Sequence, residues 1–472
     1  METLTKNELS FISSAFDSVF ANPFAAEKRN PACPEGFSPD QLNERLLGII
    51  KRLEESGLEL IQDFPAQEKG IAEKLFISSS YLRFAGKLYS KAAEAFKAES
   101  PLKIEFGAEA LLSLEKHGFE RKNANRLFSA FFQIQRARLS VEDSIWGIGQ
   151  SAEDFRKQLW DSVFSSNFEN YINFFAESPE HFPSLIISQP GCLRNRAAKS
   201  SAMSSFIGFN EKKQSFKTDF QKLYAFADIS GCREDEAESL IFGRAKGAFF
   251  WADSAAKGVL DKPVSGGIAF IEGLENLSPR LSEKLRIALD KRFYCPAGDT
   301  KQNTLETRIF AGMQEGSEIS AGLKNCFAKI IRLPSLKRRI DDSSDNIAII
   351  VSNILREFLA VRSDEISEKL TEQIIKSARS RQNWPMNEME LTSLVKSFII
   401  SGRDEQFCDC RPDLNKELLS SRPTASELLS DYCKMLYEEY GSYEKVARTA
   451  DLDRRTAKKY IEMDETPAND SS

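Results

Sequence analysis

The chain has 472 residues, 41% of them hydrophobic, which is enough for about three domains that each bury a core. Lys and Arg total 64 against 70 Asp and Glu, and the formal net charge of -6 excludes a protein that coats polyanions with its whole surface. Two histidines, His117 and His181, exclude a multi-histidine metal site within one chain, and we expect both to be ordinary surface or loop residues.

The eight cysteines form no C-x-x-C pair, and the first ten residues lack a charged region followed by an apolar one. No run of about 18 apolar residues is present, so we expect a cytoplasmic protein with reduced thiols and no membrane span. Cys408 and Cys410 have no third or fourth ligand nearby. We therefore expect linker cysteines there rather than a metal or redox pair, and no metal site in the chain.

Residues 1–148 are predicted to form an all-α domain. Leu46, Ile49, Ile50 and Leu53 recur at helical spacing, and strand-like alternation is absent. The domain is a plain helical scaffold or sensor, or else its many phenylalanines line a ligand pocket.

Residues 149–345 change character. Short apolar runs such as Leu185–Ile187 and Ile268–Ile271 are bounded by Gly, Pro and Ser, which predicts an α/β domain with a parallel sheet. The remaining predicted segments follow in order: a helical lid at 346–402, a linker at 403–424, a helical unit at 425–463 and a disordered tail at 464–472.

Several motifs carry a family resemblance. The letters ESLIFGRAKGAFFWA at Glu238–Ala252 resemble ESELFGHEKGAFTGA, which marks sigma-54-dependent enhancer-binding activators, a family of AAA+ ATPases. Gly266–Gly273, Arg332–Arg339 and Trp384–Asn387 follow where the family has GGTLFLDE, LPPLRER and WPGN. The resemblance covers about 149–463. It implies a three-layer α/β AAA+ core of the P-loop type with a helical lid, and a C-terminal helix-turn-helix.

The resemblance also places a nucleotide site, and this chain departs from it. The loop that corresponds to G-x-x-x-x-G-K is Ser188–Arg194, in which Gly191 is kept but Pro190 lacks an N–H and Leu193 replaces a turn glycine. Arg194 puts a planar guanidinium where the family has a compact lysine. These changes argue against a tight phosphate cradle.

Other catalytic positions are altered as well. Glu272 stands where an aspartate organises Mg²⁺, Gly273 replaces the water-orienting glutamate, and Gln314 replaces the asparagine that senses the γ-phosphate. Ile319 and Asn325 fall near the positions of arginines that reach a neighbouring subunit, and the lid arginine is Met389. We therefore predict a degenerate ATPase with no assigned catalytic residue, for which ATP and Mg²⁺ are low-affinity candidate ligands.

The GAFTGA-like loop comprises Gly247, Ala248, Phe249, Phe250, Trp251 and Ala252. In the family, the threonine and second glycine of this loop contact sigma-54, whereas Phe250 and Trp251 stand there in this chain. Three alternatives follow: burial against the protein's own helices, a changed protein-binding surface, or a residual contact with sigma-54.

The C-terminal unit is predicted to contain helices at 425–439, 443–449 and 453–463. A three-residue turn separates the last two helices, as in a helix-turn-helix, and Asp453 is placed to cap the third. Within 443–460 six basic residues face three acids, the local excess that DNA binding requires. The predicted DNA-binding residues are on the third helix: Arg454, Arg455, Thr456, Lys458 and Lys459.

Together these features predict a transcription regulator that binds double-stranded DNA through a homo-oligomer, or through a hetero-oligomer with a paralogue. RNA polymerase with sigma-54 is a further candidate partner. One alternative is a working ATPase that remodels sigma-54 polymerase with Arg194, Glu272 and a water-orienting residue such as Glu275. Another is an adaptor that caps the hexamers of a true activator without binding DNA.

Overall fold

The computed structural model describes residues 3–25, 37–98, 100–165, 167–176, 178–217, 219–263, 266–358, 368–381, 383–403 and 424–462. The chain divides into two compact units, Met1–Asp404 and Glu405–Ser472. Residues 404–423, which hold most of the predicted linker with Cys408 and Cys410, and the predicted tail 464–472 lie outside the described residues.

The N-terminal helices begin at the caps that the sequence supplies. Thr5 and Glu8 form a capping box, as do Ser38 and Gln41, so the first free N–H groups of two helices are satisfied by side chains. The helices are α1 (Lys6–Val19), α2 (Pro39–Glu55), α3 (Lys69–Ala95), α4 (Gly107–Glu115) and α5 (Arg121–Glu142), with a 3₁₀ turn at Ile61–Asp63.

The α/β region follows with α6 (Gln150–Phe164) and the short α7 (Phe168–Asn170), which runs into a π turn at Tyr171–Phe175. Its strands are β1 (Ser184–Ser188), β2 (Phe209–Asn210), β3 (Ser215–Phe216), β4 (Tyr224–Asp228), β5 (Ile268–Glu272), β6 (Phe293–Tyr294), β7 (Asn303–Thr304), β8 (Arg308–Gln314) and β9 (Lys329–Arg332). Its further helices are α8 (Arg194–Met203), α9 (Glu234–Phe242), α10 (Pro279–Lys291), α11 (Ala321–Lys324) and α12 (Leu336–Asp342). Single 3₁₀ turns occur at Pro179–His181, Phe220–Leu223, Val259–Asp261 and Leu274–Asn276.

Five strands form one parallel sheet in the order β4-β5-β8-β1-β9. The predicted apolar runs at 185–187 and 268–271 are β1 and β5, which are buried on both faces as parallel strands are. The predicted α/β fold with a parallel sheet is confirmed. Ser188 pairs in register with Gln314 and Glu272 with Gly312, so the carboxyl ends of the three central strands meet at one edge.

Helices cover both faces of the sheet. On one face, Leu185 and Ile271 pack in a cluster with residues of α9 and α10. On the other face, Phe270 and Phe310 share a cluster with Phe131 of α5 and other N-terminal residues. One apolar core therefore runs from the N-terminal helices to the sheet, across the boundary predicted at residue 148. Independent folding of residues 1–148 stays a prediction.

The lid region contains α13 (Asn346–Phe358), α14 (Glu368–Ser380) and α15 (Asn387–Ser401). Ile350, Ile354 and Leu391 are fully or almost fully buried between these helices, and Trp146 joins the same cluster. The lid therefore packs against the segment that leads into α6, and its apolar stripe matches the helical period that the sequence shows.

The second unit contains α16 (Ala425–Tyr440), α17 (Tyr443–Thr449) and α18 (Arg454–Ile461). Val446, Ala447 and Ala457 are buried in its small core, with Leu452 and Tyr460 packed at the side. The third helix begins one residue later and ends two residues earlier than predicted, because Asp453 is its N-cap and regular hydrogen bonding ends at Ile461. None of the helices in the described residues is both long and apolar enough to cross a membrane.

Candidate functional site

The loop after β1 turns sharply into α8. Gly191 has a φ of +75°, and a β-carbon there would lie closer than 3.0 Å to the carbonyl oxygen of Met386. Leu193 also adopts a left-handed conformation, with a φ of 55°, which is strained for a bulky side chain. The close approach at Gly191 and the strained turn at Leu193 show that the loop is held by its surroundings.

Arg194, at the start of α8, turns back across the edge of the sheet. Its Nε and Nη2 contact Glu272 Oε1 at 2.7 and 2.5 Å. Its Nη1 donates to the carbonyl oxygen of Ser188 at 3.1 Å, to Ser188 Oγ at 2.9 Å and to the carbonyl oxygen of Met313 at 3.0 Å. The guanidinium thus bonds to the carboxyl ends of β1, β5 and β8 simultaneously.

Glu272 is largely enclosed at this edge. The Arg194 and Glu272 side chains keep only 13% and 14% of their exposure. Burial raises the pKa of Glu272, and the neighbouring carboxylates of Asp228 and Glu275 raise it further, while Arg194 opposes the shift. The charge of Glu272 is therefore balanced by Arg194 within the protein.

The N-terminal end of α15 fastens the loop from the other side. Asn387 Nδ2 donates to the carbonyl oxygen of Pro190 at 2.8 Å, while Asn387 Oδ1 accepts from the backbone N–H of Leu336 at 2.8 Å. The backbone N–H of Met389 donates to the carbonyl oxygen of Gly191 at 3.2 Å. Lid and loop are thereby joined by two direct hydrogen bonds.

A buried ion pair that the sequence analysis missed connects the lid to the segment Trp146–Ile148 before α6. Arg339, which is fully buried, pairs with Glu388 and donates to the carbonyl oxygen of Trp146 at 2.8 Å. Asn346 exchanges hydrogen bonds with the backbone N–H and carbonyl of Ile148 at 2.7 and 2.8 Å. Arg339 belongs to the motif at 332–339, but its partners lie far away in the sequence, so no local pattern indicated these contacts.

The position that the family gives to a water-orienting glutamate is sterically closed. Gly273 has a φ of +84°, and a β-carbon there would lie closer than 3.0 Å to Ser230 Oγ. Glu275 follows in the next turn, where its Oε2 is buried without a hydrogen-bond partner among the described residues. Gln314 ends β8 beside Ser188 and is exposed.

The remaining altered positions present no cationic side chain. Ile319 packs partly against the core on one face of the sheet, and Asn325 caps α11 at the surface. Met389 is half exposed near the loop after β1.

The loop at Gly247–Ala252 has two aromatic side chains that pack on the protein and one that is exposed. Trp251 Nε1 donates to Asp235 Oδ2 at 2.5 Å, the Arg244 guanidinium lies 4.8 Å from the Trp251 ring, and Phe249 stacks on that ring at 5.3 Å. Phe250 is fully exposed. Trp251 and Phe249 therefore pack on the protein itself, whereas Phe250 does not.

The turn between α17 and α18 contains one left-handed residue. Asp451 stands in the left-handed conformation, with a φ of 53°, at the position where such turns usually carry glycine. Asp453 Oδ1 accepts from the backbone N–H groups of Arg455 and Thr456 at 2.9 and 3.1 Å, and the Thr456 hydroxyl bonds to the same carboxylate. Three hydrogen bonds therefore fix the start of α18.

The cations of α18 differ in their partners. Arg454 lies 3.3 Å from Glu444, and Lys458 lies 3.6 Å from Glu462. Arg455 and Lys459, one helical turn apart on the same face, are exposed and have no carboxylate within 4.0 Å among the described residues. The cations of this helix that form no ion pair among the described residues are therefore Arg455 and Lys459.

Neither histidine takes part in these sites. His117 stacks on Phe76 at 3.9 Å, its Nδ1 lies 3.1 Å from the carbonyl oxygen of Glu59, and burial lowers its pKa. His181 lies beside Glu180 in a 3₁₀ turn.

Comparison with protein families finds a match to the Sigma-54 interaction domain over residues 211–326. Among curated proteins, the transcriptional regulatory protein ZraR of Salmonella typhimurium is 26% identical over 181 residues, which are 37% of this chain and 40% of ZraR. The anaerobic nitric oxide reductase transcription regulator NorR of Vibrio vulnificus is 27% identical over 203 residues, 41% of this chain and 38% of NorR. The chain thus spans about two fifths of the length of these relatives.

Among solved structures, NtrX from Brucella abortus matches with 13% identity and a TM-score of 0.40, over 76% of this chain and 79% of NtrX. A closed-state reconstruction of Hsp104 matches with 14% identity and a TM-score of 0.41, over 76% of this chain and 63% of Hsp104.

Proposed function

Because the central region of this chain belongs to the sigma-54-dependent activator family, we propose that the protein is a DNA-binding transcription regulator whose AAA+ core is a scaffold that does not hydrolyse ATP. The observation that carries the second half of this proposal is the Arg194–Glu272 ion pair. The residues present do not fit a working Mg²⁺–nucleotide site, for three reasons.

First, the metal would have to compete with a bound cation. Mg²⁺ binds through carboxylate oxygens, but Glu272 Oε1 already accepts a hydrogen bond from Arg194 Nε and forms an ion pair with Arg194 Nη2. Releasing Glu272 leaves the guanidinium without its anion, and releasing Arg194 toward a phosphate leaves a buried carboxylate unpaired. Each step is costly in a site that keeps little exposure.

Second, the loop after β1 is committed to protein contacts. Carbonyl oxygens of Ser188, Pro190 and Gly191 all accept hydrogen bonds from other parts of the chain. A phosphate cradle needs a loop whose backbone N–H groups turn inward around the ligand. The bonds to these carbonyl oxygens fix the loop backbone, so its N–H groups cannot be reoriented around a phosphate unless those bonds break.

Third, no carboxylate is positioned where the family orients the attacking water. Gly273 carries none, and the left-handed backbone beside Ser230 leaves no room for one. The missing arginines at Ile319 and Asn325 remove a contribution that is worth about 10³–10⁵ in rate where it has been measured.

Thermal unfolding of the full chain with and without ATP and Mg²⁺ tests this part of the proposal. We expect a shift in midpoint of less than about 1 °C, since a ligand that does not bind the folded state cannot stabilise it. The same measurement with ADP and Mg²⁺ is the matched control. A clear rise with ATP that is lost in Glu272→Gln would contradict the ion-pair argument.

The DNA-binding half of the proposal rests on α18. Its N-terminus is fixed by Asp453, and Arg455 and Lys459 are exposed and form no ion pair within 4.0 Å among the described residues. A recognition helix needs such cations for phosphate and base contacts. A single helix-turn-helix binds weakly, so we propose that the regulator acts as a homo-oligomer or with a paralogue. We also propose that it acts in the cytoplasm.

Selection from a pool of random DNA duplexes, followed by binding curves at several salt concentrations, tests this half. We expect Arg455→Ala and Lys459→Ala each to reduce the slope of log K against log salt by about 0.9 for one lost phosphate contact. Lys434→Ala on α16 removes the same charge within the same unit and is the matched control. Equal binding by all three variants would remove α18 as the recognition helix and favour the adaptor reading.

The exposed Phe250 favours a protein contact as a second function of the core. The family resemblance makes RNA polymerase with sigma-54 the first partner to test. We expect Phe250→Ser to weaken co-sedimentation with sigma-54, and Phe249→Leu, which alters a packed ring of the same loop, to leave it unchanged. Binding that is equally strong in both variants would reject Phe250 as the contact.

A further inference from the structure

A cavity of about 320 Å³ opens among the N-terminal helices. It lies between the chain that follows α1 and the helices α3, α5 and α6. This volume is at the lower end of the range of small-molecule sites in proteins, about 300–1,000 Å³. Its lining includes no residue of the loop after β1, so it is separate from the altered nucleotide site.

The walls of the cavity are mainly aromatic. Phe20 stacks face to face on Phe168 at 4.1 Å, and Trp160 packs against Phe164 at 4.4 Å. Tyr81 contributes a further ring, 5.1 Å from Phe20. Rings that are already ordered by one another form a rigid surface on which a planar apolar group can stack without new ordering of side chains.

The aromatic wall also contains two polar side chains, Tyr81 and Gln135. Gln135 Nε2 donates to the Tyr81 hydroxyl at 2.6 Å, but Gln135 Oε1 is buried and has no partner among the described residues. Both side chains line the cavity. Burial raises the pKa of Tyr81 to about 12, so its hydroxyl keeps its proton and remains a donor near neutral pH.

The lining contains one cation, Arg138, and one carboxylate, Asp161. Arg138, one helical turn after Gln135, lines the cavity, is exposed, and has no carboxylate within ion-pair distance among the described residues. Asp161 also lines the cavity, but its Oδ1 already accepts a hydrogen bond from Asn22 Nδ2 at 2.8 Å. A guanidinium with free N–H groups is suited to a carboxylate.

We propose that this cavity is an effector site for a small aromatic carboxylic acid, whose ring lies between the aromatic walls and whose carboxylate binds Arg138. Its position links it to the core through α5. Arg136 and Ser140 on that helix donate to carbonyl oxygens of Met203 and Ser200 on α8, at 2.6 and 2.8 Å. A ligand in the cavity therefore contacts the helix that holds α8, and α8 begins at Arg194.

Titration calorimetry of the full chain with phenylacetate tests the proposal, and the uncharged phenylacetamide is the matched ligand. We expect the acid to bind more tightly than the amide by about two- to fivefold, the usual strength of an ion pair at an exposed cation. Arg138→Gln removes this preference and leaves amide binding unchanged. Lys122→Gln, which neutralises another exposed cation of α5, keeps it.

A second variant tests the location. Ala85 lines the cavity and is only partly buried, so Ala85→Leu fills part of the cavity with side-chain atoms without crowding the core. We expect it to weaken both ligands at least tenfold, with an unchanged thermal midpoint as the check that the variant folds. Absence of phenylacetate binding in the millimolar range, equal affinity for acid and amide, or affinity untouched by both Arg138→Gln and Ala85→Leu would each overturn the proposal.

Discussion

Replacing Arg194 with methionine removes the cation from a carboxylate that the protein keeps largely out of water. Glu272 loses contacts at 2.5 and 2.7 Å, and the hydrogen bonds to Ser188 and Met313 are lost as well. Because both side chains are nearly nine-tenths buried, solvent screening recovers little of the loss. Breaking a buried pair from one side costs about 3–5 kcal/mol. We expect the first unit to lose about this much stability.

The double variant Arg194→Met with Glu272→Met separates pairing from general damage. With both charges gone, no buried charge is left unpaired, so we expect the double variant to be more stable than Arg194→Met. It stays below the parent by the lost hydrogen bonds to Ser188 and Met313, which are worth about 0.5–1.5 kcal/mol each. The assay is urea unfolding followed by far-UV circular dichroism, with each single variant measured alongside. Additive losses in the double variant would refute the view that the two side chains form one charge-balanced unit.

The stability of the single variant Arg194→Met depends on pH in a direction that the pKa of Glu272 sets. Burial already raises the pKa of Glu272 in the folded chain, and loss of Arg194 removes the neighbouring cation that lowers it. A carboxyl whose pKa is higher folded than unfolded holds its proton longer in the folded state, so stability falls as pH rises through that window. We expect the penalty of Arg194→Met to be smaller at about pH 5 than at about pH 8. An equal penalty at both values would show that Glu272 does not carry it.

Three further outcomes are expected. Gly273→Glu would restore the family's carboxylate, but the φ of +84° and the nearness of Ser230 oppose any side chain at this position. We therefore expect this variant to lose about 1–3 kcal/mol of stability in urea unfolding and to release no phosphate. An active, stable variant would refute the steric argument. Asp235→Asn weakens the hydrogen bond that docks Trp251, so tryptophan fluorescence shifts to the red; an unchanged spectrum would mean that packing alone holds the ring. Asp453→Ala destabilises the C-terminal unit by about 1 kcal/mol in thermal unfolding, whereas Asp451→Gly does not, because only Asp453 caps α18.

Local features of the chain were readable from the sequence. The strands at β1 and β5 are apolar runs between turn residues, and the start of α18 follows from Asp453 before a helical segment. Both depend on neighbours within a few residues. The family motif located the loop at Gly247–Ala252 for the same reason.

Long-range pairings were not readable. The sequence analysis placed Arg194 and Glu272 at an altered nucleotide site, but it did not predict that the two side chains pair with one another. Asn387 appeared only as part of a lid motif, although its amide fixes the loop at Pro190. Such contacts are decided by the packing of β1 against β8 and of the lid against the sheet, which a single sequence does not specify. The aromatic cavity was one of two alternatives for the same reason.

We propose that the core does not turn over ATP, because Arg194 and Glu272 bind one another and the lid is hydrogen-bonded to the loop after β1. The decisive experiment is phosphate release by the full chain, measured with saturating ATP and Mg²⁺ across rising protein concentration. We expect release equal to that of the Glu272→Gln variant at every concentration. Release that rises with protein concentration and disappears in Glu272→Gln would identify a working ATPase and refute the proposal.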